Sequence, residues 1–163
     1  MKKQPIFLFF KDISKKDVGI AGGKGASLGE LTRAKIPVPP GFVILADTFE
    51  RFIRDAGLVE RIDALLSQVN IKEMHTVERT SEAIIGLIES ASMPKSSEKE
   101  VLVAFAKLKS PLVAVRSSAT AEDGSANAWA GQLDTYLNTT KKTLIPNIKK
   151  CWASLFTPRA IFY

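Results

Sequence analysis

The chain contains a single cysteine, Cys151, and a single histidine, His75. One cysteine excludes an internal disulfide and is compatible with a reducing compartment. With one histidine, no C-x-x-C and no H-E-x-x-H pattern, zinc and Ser-His-Asp chemistry are unsupported, and no metal site is expected in the chain itself. Long apolar runs are also missing. The greasy stretch near the start, Ile6 to Phe10, stops at Lys11-Asp12. A secretory core needs roughly 7–15 apolar residues, so a strand is the better reading. Nothing approaches the ~20 apolar residues of a membrane span. The expectation is a cytoplasmic protein with no membrane partner.

Acidic residues are absent after Asp134, whereas Lys141, Lys142, Lys149, Lys150 and Arg159 all follow it. A solvated helix face accounts for that, as does a surface that meets an acidic partner. The formal net charge of +6 favours anionic partners without choosing between ATP and nucleic acid. No KH, RRM or zinc-finger pattern is present and the aromatics follow core periodicity, so nucleic acid is not the expected partner.

What is present fits a globular protein. Hydrophobic residues make up 45% and charged residues 25% of 163 residues, enough for one domain with a real core. Residues 5–10 read as a strand, and a helix is predicted from about Gly25 to Lys35 with Leu28 and Leu31 on its inner face. IPVPPGFVIL, 36–45, is a proline-stiffened turn feeding a strand, Phe42 to Leu45. Asp47 or Thr48 is placed to cap the next helix, whose stripe is Phe49, Phe52, Ile53 and Ala56, with Gly57 positioned to end it. Three further stripes follow: Leu58, Ile62, Leu65, Leu66 and Val69; Val77, Ile84, Leu87, Ile88 and Ala91; Val101, Leu102, Phe105 and Leu108. His75, in the polar link between the first two of these, reads as an exposed bystander. Leu112 to Val115 has the composition of a buried strand, and a second strand is expected near Leu133 to Leu137. A last helical stripe, Leu144 to Phe156, buries an inert Cys151. Pro146 lies awkwardly within that stripe, so its helix is expected to start late or bend.

Two stretches carry candidate chemistry. GIAGGKGASLGEL, Gly19 to Leu31, surrounds Lys24 with glycines, yet fits neither G-x-x-x-x-G-K-[ST] nor G-x-G-x-x-G. Glycine N–H groups at a helix start can converge on a phosphate, with Lys24 as a mobile charge. The alternative is a glycine turn beside a solvated lysine, with Gly25 and Gly29 allowing close packing. In VAVRSSATAED, Arg116 follows directly on a strand, where α/β sheets meet ligands. Its planar fork suits phosphate, and Ser117, Ser118 and Thr120 add hydroxyls. Glu122 and Asp123 have three open roles: a pair with Arg116 or Lys24, a turn cap, or a metal contact. Trp129, in WAGQLDTYLN, belongs either to a flap over a nucleotide or to a hairpin core.

GGKGASLGEL, VPPGFVI, VAVRSSATAED, AGQLDTYLN and CWASLFTPRAIFY, in this order, resemble one family: the N-terminal part of the nucleotide-binding domain of phosphoenolpyruvate synthase and pyruvate, phosphate dikinase. Rifampicin phosphotransferase shares that domain. The resemblance runs from Phe7 to Tyr163. It implies an α/β (α+β) fold, a mixed sheet flanked by helices, with residues 1–163 forming the N-terminal subdomain of an ATP-grasp domain. It also implies ATP as ligand, with Lys24 and Arg116 on its phosphates as the catalytic pair and Gly131 and Thr135 lining the site. The implied enzyme is a pyruvate, water dikinase-type kinase that passes phosphate from ATP through a phosphohistidine to pyruvate, releasing AMP and phosphate. Magnesium ligands, the phosphohistidine in its Thr-Ser-His context and the pyruvate site are expected in a second half and in partner domains beyond IFY. Alone, the chain is expected to bind ATP weakly at best, without turnover. A rifampicin phosphotransferase-like enzyme and a non-catalytic nucleotide-sensing or docking module are the alternatives. This chain has DGSANAWAG where relatives often read DLPDASFAG, which implies a flap of different shape.

Overall fold

The computed structural model describes residues 5–118 and 134–162. The chain is a mixture of helices and small sheets, with β1 (Phe7–Phe9), α1 (Val18–Arg33), β2 (Phe42–Ile44), α2 (Ala46–Asp55), α3 (Val59–Leu66), α4 (Met74–Ser90), α5 (Lys95–Lys107), β3 (Val113–Arg116), β4 (Thr135–Thr139), α6 (Leu144–Ala153) and α7 (Pro158–Phe162). Instead of one mixed sheet, the described strands form two antiparallel pairs, β1 with β2 and β3 with β4. Two compact units emerge.

The first unit comprises described residues 5–50, 95–110 and 118. The β1–β2 register pairs Phe7 with Ile44, Leu8 with Val43 and Phe9 with Phe42. Alternation then assigns Leu8 and Val43 to one face and the phenylalanines to the other. Leu8, Phe10 and Val43 pack on a core of Ile13, Ala21 and Leu45. Phe7, Phe9 and Phe42 meet edge to face, with centroids 5.4–6.1 Å apart. Between β1 and α1, Ser14 and Asp17 form a reciprocal capping box. The Asp17 carboxylate accepts from the Ser14 N–H at 2.7 Å and its hydroxyl at 2.8 Å. Those bonds, led by the backbone one and helped by Arg33, hold its pKa below the usual carboxylate range.

Three expectations for this unit are corrected. Leu31 is not on the inner face of α1 but 36% exposed. The buried stripe is Ala21, Gly22, Gly25, Ala26 and Gly29, because only small side chains let the helix approach its neighbours so closely. A Cβ on Gly29 would lie 2.5 Å from the Ile13 carbonyl oxygen. The helix also begins earlier than Gly25, at Val18, and breaks at Gly22. Finally, α2 starts at Ala46, so Thr48 lies inside it, buried, with its hydroxyl donating to the Ile6 carbonyl at 2.9 Å.

The second unit comprises described residues 51–94, 111–117 and 134–162. Gly57, at φ 64, ends α2 as expected: Gly57 N–H bonds to Arg54 and Leu58 N–H to Ile53, the Schellman pattern. Val77, Ile84 and Ile88 on α4 are fully buried, each worth about 1.5–3 kcal/mol of transfer free energy. α4 packs on α6 and α7, and the Ser81 hydroxyl donates to the Phe156 carbonyl at 2.7 Å. Lys149 of α6 donates to the carbonyls of Glu89 and Ala91 at the end of α4, a favourable place for a cation. Trp152 stacks on Phe52 at 5.1 Å. His75 falls in the first turn of α4 and is 71% exposed, within 3.7 Å of Glu73.

Pro146 is the third residue of α6, after Thr143 as N-cap. Amides in a first turn have no intrahelical acceptor, so the proline neither delays nor breaks the helix. The buried-strand reading of Leu112 to Val115 is overturned. Leu112 is 47% exposed, and in β3 only Val113 and Val115 are half-buried. One face of the β3–β4 hairpin rests on α6, and the other lies open among the described residues.

Candidate functional site

The lysine-bearing candidate stretch surrounds the break in α1. Gly22 adopts φ 71, ψ 166, a region available essentially only to glycine. A Cβ there would overlap the Ser118 carbonyl. At such a break the carbonyls before it and the amides after it lose their helical partners. One hydroxyl serves both sides: Ser118 Oγ donates to the Ala21 carbonyl at 2.7 Å and accepts from the Gly25 amide at 2.9 Å. Gly25 also sits against Val43, whose Cγ2 would be 2.9 Å from a Cβ at that position. Gly25 and Gly29 therefore allow close packing, as the turn reading anticipated. Lys24, the third residue after Gly22's predecessor Ala21, is half-buried at the start of the second helical segment.

The arginine-bearing candidate stretch enters the β3–β4 hairpin. Its register pairs Arg116 directly with Thr135 and Val115 with Tyr136, then slips so that Val113 meets Thr139. β4 thus carries one extra residue, and Asn138, at φ 52, absorbs the bulge. Directly opposed residues share a sheet face. Arg116 and Thr135 are both exposed, and Leu137, two residues further along β4, is 68% exposed. The hairpin therefore presents a guanidinium, a hydroxyl and an apolar side chain on one open face. Behind it, the Tyr136 hydroxyl donates to Asp134 at 2.9 Å. Burial first, and that bond second, push the tyrosine well above its ordinary pKa, so it stays protonated at neutral pH.

Of the four residues expected at the site, Arg116 and Thr135 come together on this hairpin and Lys24 stands at the helix break. Gly131 lies outside the described residues, as do Thr120, Glu122, Asp123, Trp129 and Gln132. Cys151 is buried, as its stripe predicted. Burial, and after it the charge of Asp134, push its thiol up to about 12, so it is no nucleophile. Among the described residues no group of three or more His, Cys, Asp or Glu is arranged to hold a metal ion, and no helix is long and apolar enough to cross a membrane. The structural duty of Ser118 was not legible in the sequence, because its partner amide is 93 residues away.

Residues 18–163 match the family described as pyruvate phosphate dikinase, AMP/ATP-binding domain. Among curated proteins, the chain is 46% identical over 159 residues to a probable phosphoenolpyruvate synthase of Methanocaldococcus jannaschii, covering 93% of this chain and 13% of that protein. It is 46% identical to the probable phosphoenolpyruvate synthase of Archaeoglobus fulgidus, covering 96% of this chain and 22% of the relative. The phosphoenolpyruvate synthase of Pyrococcus furiosus is 34% identical, over 95% of this chain and 24% of the relative. The chain thus spans between an eighth and a quarter of the length of these three relatives. The chain belongs to the pyruvate phosphate dikinase AMP/ATP-binding domain family.

Proposed function

We propose that this chain is the ATP-binding part of a phosphoenolpyruvate synthase-like phosphotransferase, built as the N-terminal subdomain of an ATP-grasp domain. In this reading Lys24 and Arg116 contact the ATP phosphates, and Thr135 and Gly131 line the nucleotide site. The observation that carries it is the direct pairing of Arg116 with Thr135, which gives two of these residues one shared, accessible face. Arginine offers phosphate a planar, bidentate set of donors that stays charged at any working pH. Lysine adds a compact charge on a flexible stem. Positioning and charge neutralisation are most of what phosphoryl transfer asks of a protein.

The overall reaction proposed is ATP, pyruvate and water to phosphoenolpyruvate, AMP and phosphate, by way of a phosphohistidine. His75 is not that histidine in this reading, since it follows Glu73 and Met74 and lacks the Thr-Ser-His context. The described residues supply no acidic cluster for magnesium. In this reading the magnesium ligands belong to a second half of the ATP-grasp domain.

Amide and side-chain resonances followed during titration with Mg-ATP test the reading. The expected result is that Lys24, Arg116 and Thr135 shift together on one saturation curve. Shifts confined to other residues, or none at high nucleotide concentration, would remove the assignment.

A further inference from the structure

Ser118, two residues after Arg116, bonds to backbone groups on both sides of Lys24. We infer that Ser118 is a positioning residue: its hydroxyl fixes the start of the helical segment that carries Lys24, and so fixes where that amine meets a nucleotide phosphate. This rests on the proposed role of Lys24 as a phosphate contact.

The second half of α1 has no cap of its own. Gly22, the residue before its first turn, has no side chain, and its backbone dihedrals are outside the helical region. An ordinary helix start uses a Ser, Thr, Asp or Asn at that point, whose oxygen accepts from an amide two or three residues on. Gly25 is three residues on from Gly22, and the oxygen it donates to is Ser118 Oγ. Ser118 thus acts as the missing N-cap from a distant part of the sequence. It does a second thing no ordinary cap does, donating to the Ala21 carbonyl on the other side of the break.

Ala21 and Gly25 are both buried, so neither group has ready access to water as a substitute. They also bracket Lys24, three residues before it and one after. With both ends of that short span tied to one oxygen atom, the direction of the Lys24 Cα–Cβ bond is set by Ser118. The absence of a Cβ on Gly22 is part of the same device, since the Ser118 carbonyl fills the place a methyl group would take. A serine or threonine suits this role because a hydroxyl donates and accepts at once. A carboxylate only accepts, and alanine does neither.

The test is a double-mutant cycle on Mg-ATP affinity, using Ser118→Ala and Lys24→Ala, with circular dichroism and thermal melting to confirm folding. Ser118→Ala is expected to weaken Mg-ATP roughly five- to tenfold, the size of a lost helix cap. In the Lys24→Ala background the same change is expected to have no further effect, because the two act as one unit. Ser118→Thr, which keeps the hydroxyl, is expected to stay within about twofold of the parent.

A folded Ser118→Ala protein with unchanged affinity would overturn the inference while leaving the nucleotide reading intact. So would an equal loss with and without Lys24, which would mean a general structural role. No Mg-ATP binding by the parent chain would instead sink the nucleotide reading and the positioning role with it. If Ser118→Ala does not fold, Ser118→Thr and amide exchange of the parent decide. Gly25 is expected to exchange slowly in the absence of nucleotide. Fast exchange that slows only on adding Mg-ATP would place the phosphate, and not Ser118, on that amide.

Discussion

Replacing Gly22 by alanine attacks the break in α1 at its one irreplaceable position. At φ 71, ψ 166 an alanine carries backbone strain of about 1–3 kcal/mol. Its Cβ would also overlap the carbonyl of Ser118, and backbone atoms cannot rotate away as a flexible side chain can. Relief requires Ser118 to withdraw, which breaks both bonds of its hydroxyl. Each buried group left unpaired, the Ala21 carbonyl and the Gly25 amide, costs about 1–3 kcal/mol. Strain and orphaned groups together come to about 3–9 kcal/mol, in the range reserved for a few mechanisms. In a chain of this size about 2–4 °C of melting temperature accompanies each kcal/mol, so Gly22→Ala is expected to melt at least about 6 °C lower. Gly86 is the matched control: it lies within α4, exposed, and a Cβ there meets nothing within 4 Å. Gly86→Ala should be stabilising by about 0.4–1 kcal/mol. Urea denaturation of both variants beside the parent is the assay. A Gly22→Ala protein within about 0.5 kcal/mol of the parent would mean that neither the strain nor the Ser118 bonds hold this break.

Four other outcomes follow from the packing and the titrations. The Cys151 thiol, pushed up to about 12 by burial and then by Asp134, should resist a thiol reagent at pH ~8 until the protein unfolds; labelling at the unfolded rate would contradict its burial. Because its folded pKa is raised, its contribution is complete below the unfolded value and lost as pH climbs towards the folded one, so Cys151→Ala should flatten the alkaline fall in stability. Asp17 has the opposite sign: its lowered pKa, due first to the Ser14 amide, stabilises above the usual carboxylate range and is lost as pH falls through the folded value. Asp17→Asn should therefore be less stable than the parent at neutral pH and converge with it in acid, and parallel curves would exclude the capping box as the cause. Pro146→Ala should change stability by less than about 1 kcal/mol, as befits a first-turn proline; a gain near 3 kcal/mol would mean that the proline strains the helix.

Much of this was legible because apolar spacing records helix faces faithfully when large side chains do the packing. The stripes through Ile62, through Val77, Ile84 and Ile88, and through Val101 and Phe105 all face inwards. It failed where small residues pack. The buried face of α1 is made of glycines and alanines, which no hydrophobic period marks, while the apolar Leu31 lies off it. β3 failed for another reason. A run of Leu, Val, Ala and Val is the composition of a doubly covered strand, whereas α6 covers one face of this hairpin and leaves Leu137 and Leu112 exposed. Pairing of the site residues was only half visible. Arg116 and Thr135 stood out as residue types in motifs, but their direct opposition depends on a register with a bulge at Asn138. The link from Ser118 to Gly25 could not be seen at all, since a hydroxyl gives no sign in sequence of which distant amide it will meet.

The most direct test of the central claim is calorimetric titration of Mg-ATP into the parent chain, Lys24→Ala and Arg116→Ala. Loss of one charge-assisted contact to phosphate is worth about 1.5–3 kcal/mol, or roughly 10- to 100-fold in affinity. A loss of that order is expected for each variant, with folding unchanged. Saturable binding of equal strength in all three proteins would show that neither side chain touches the phosphates and would contradict the account.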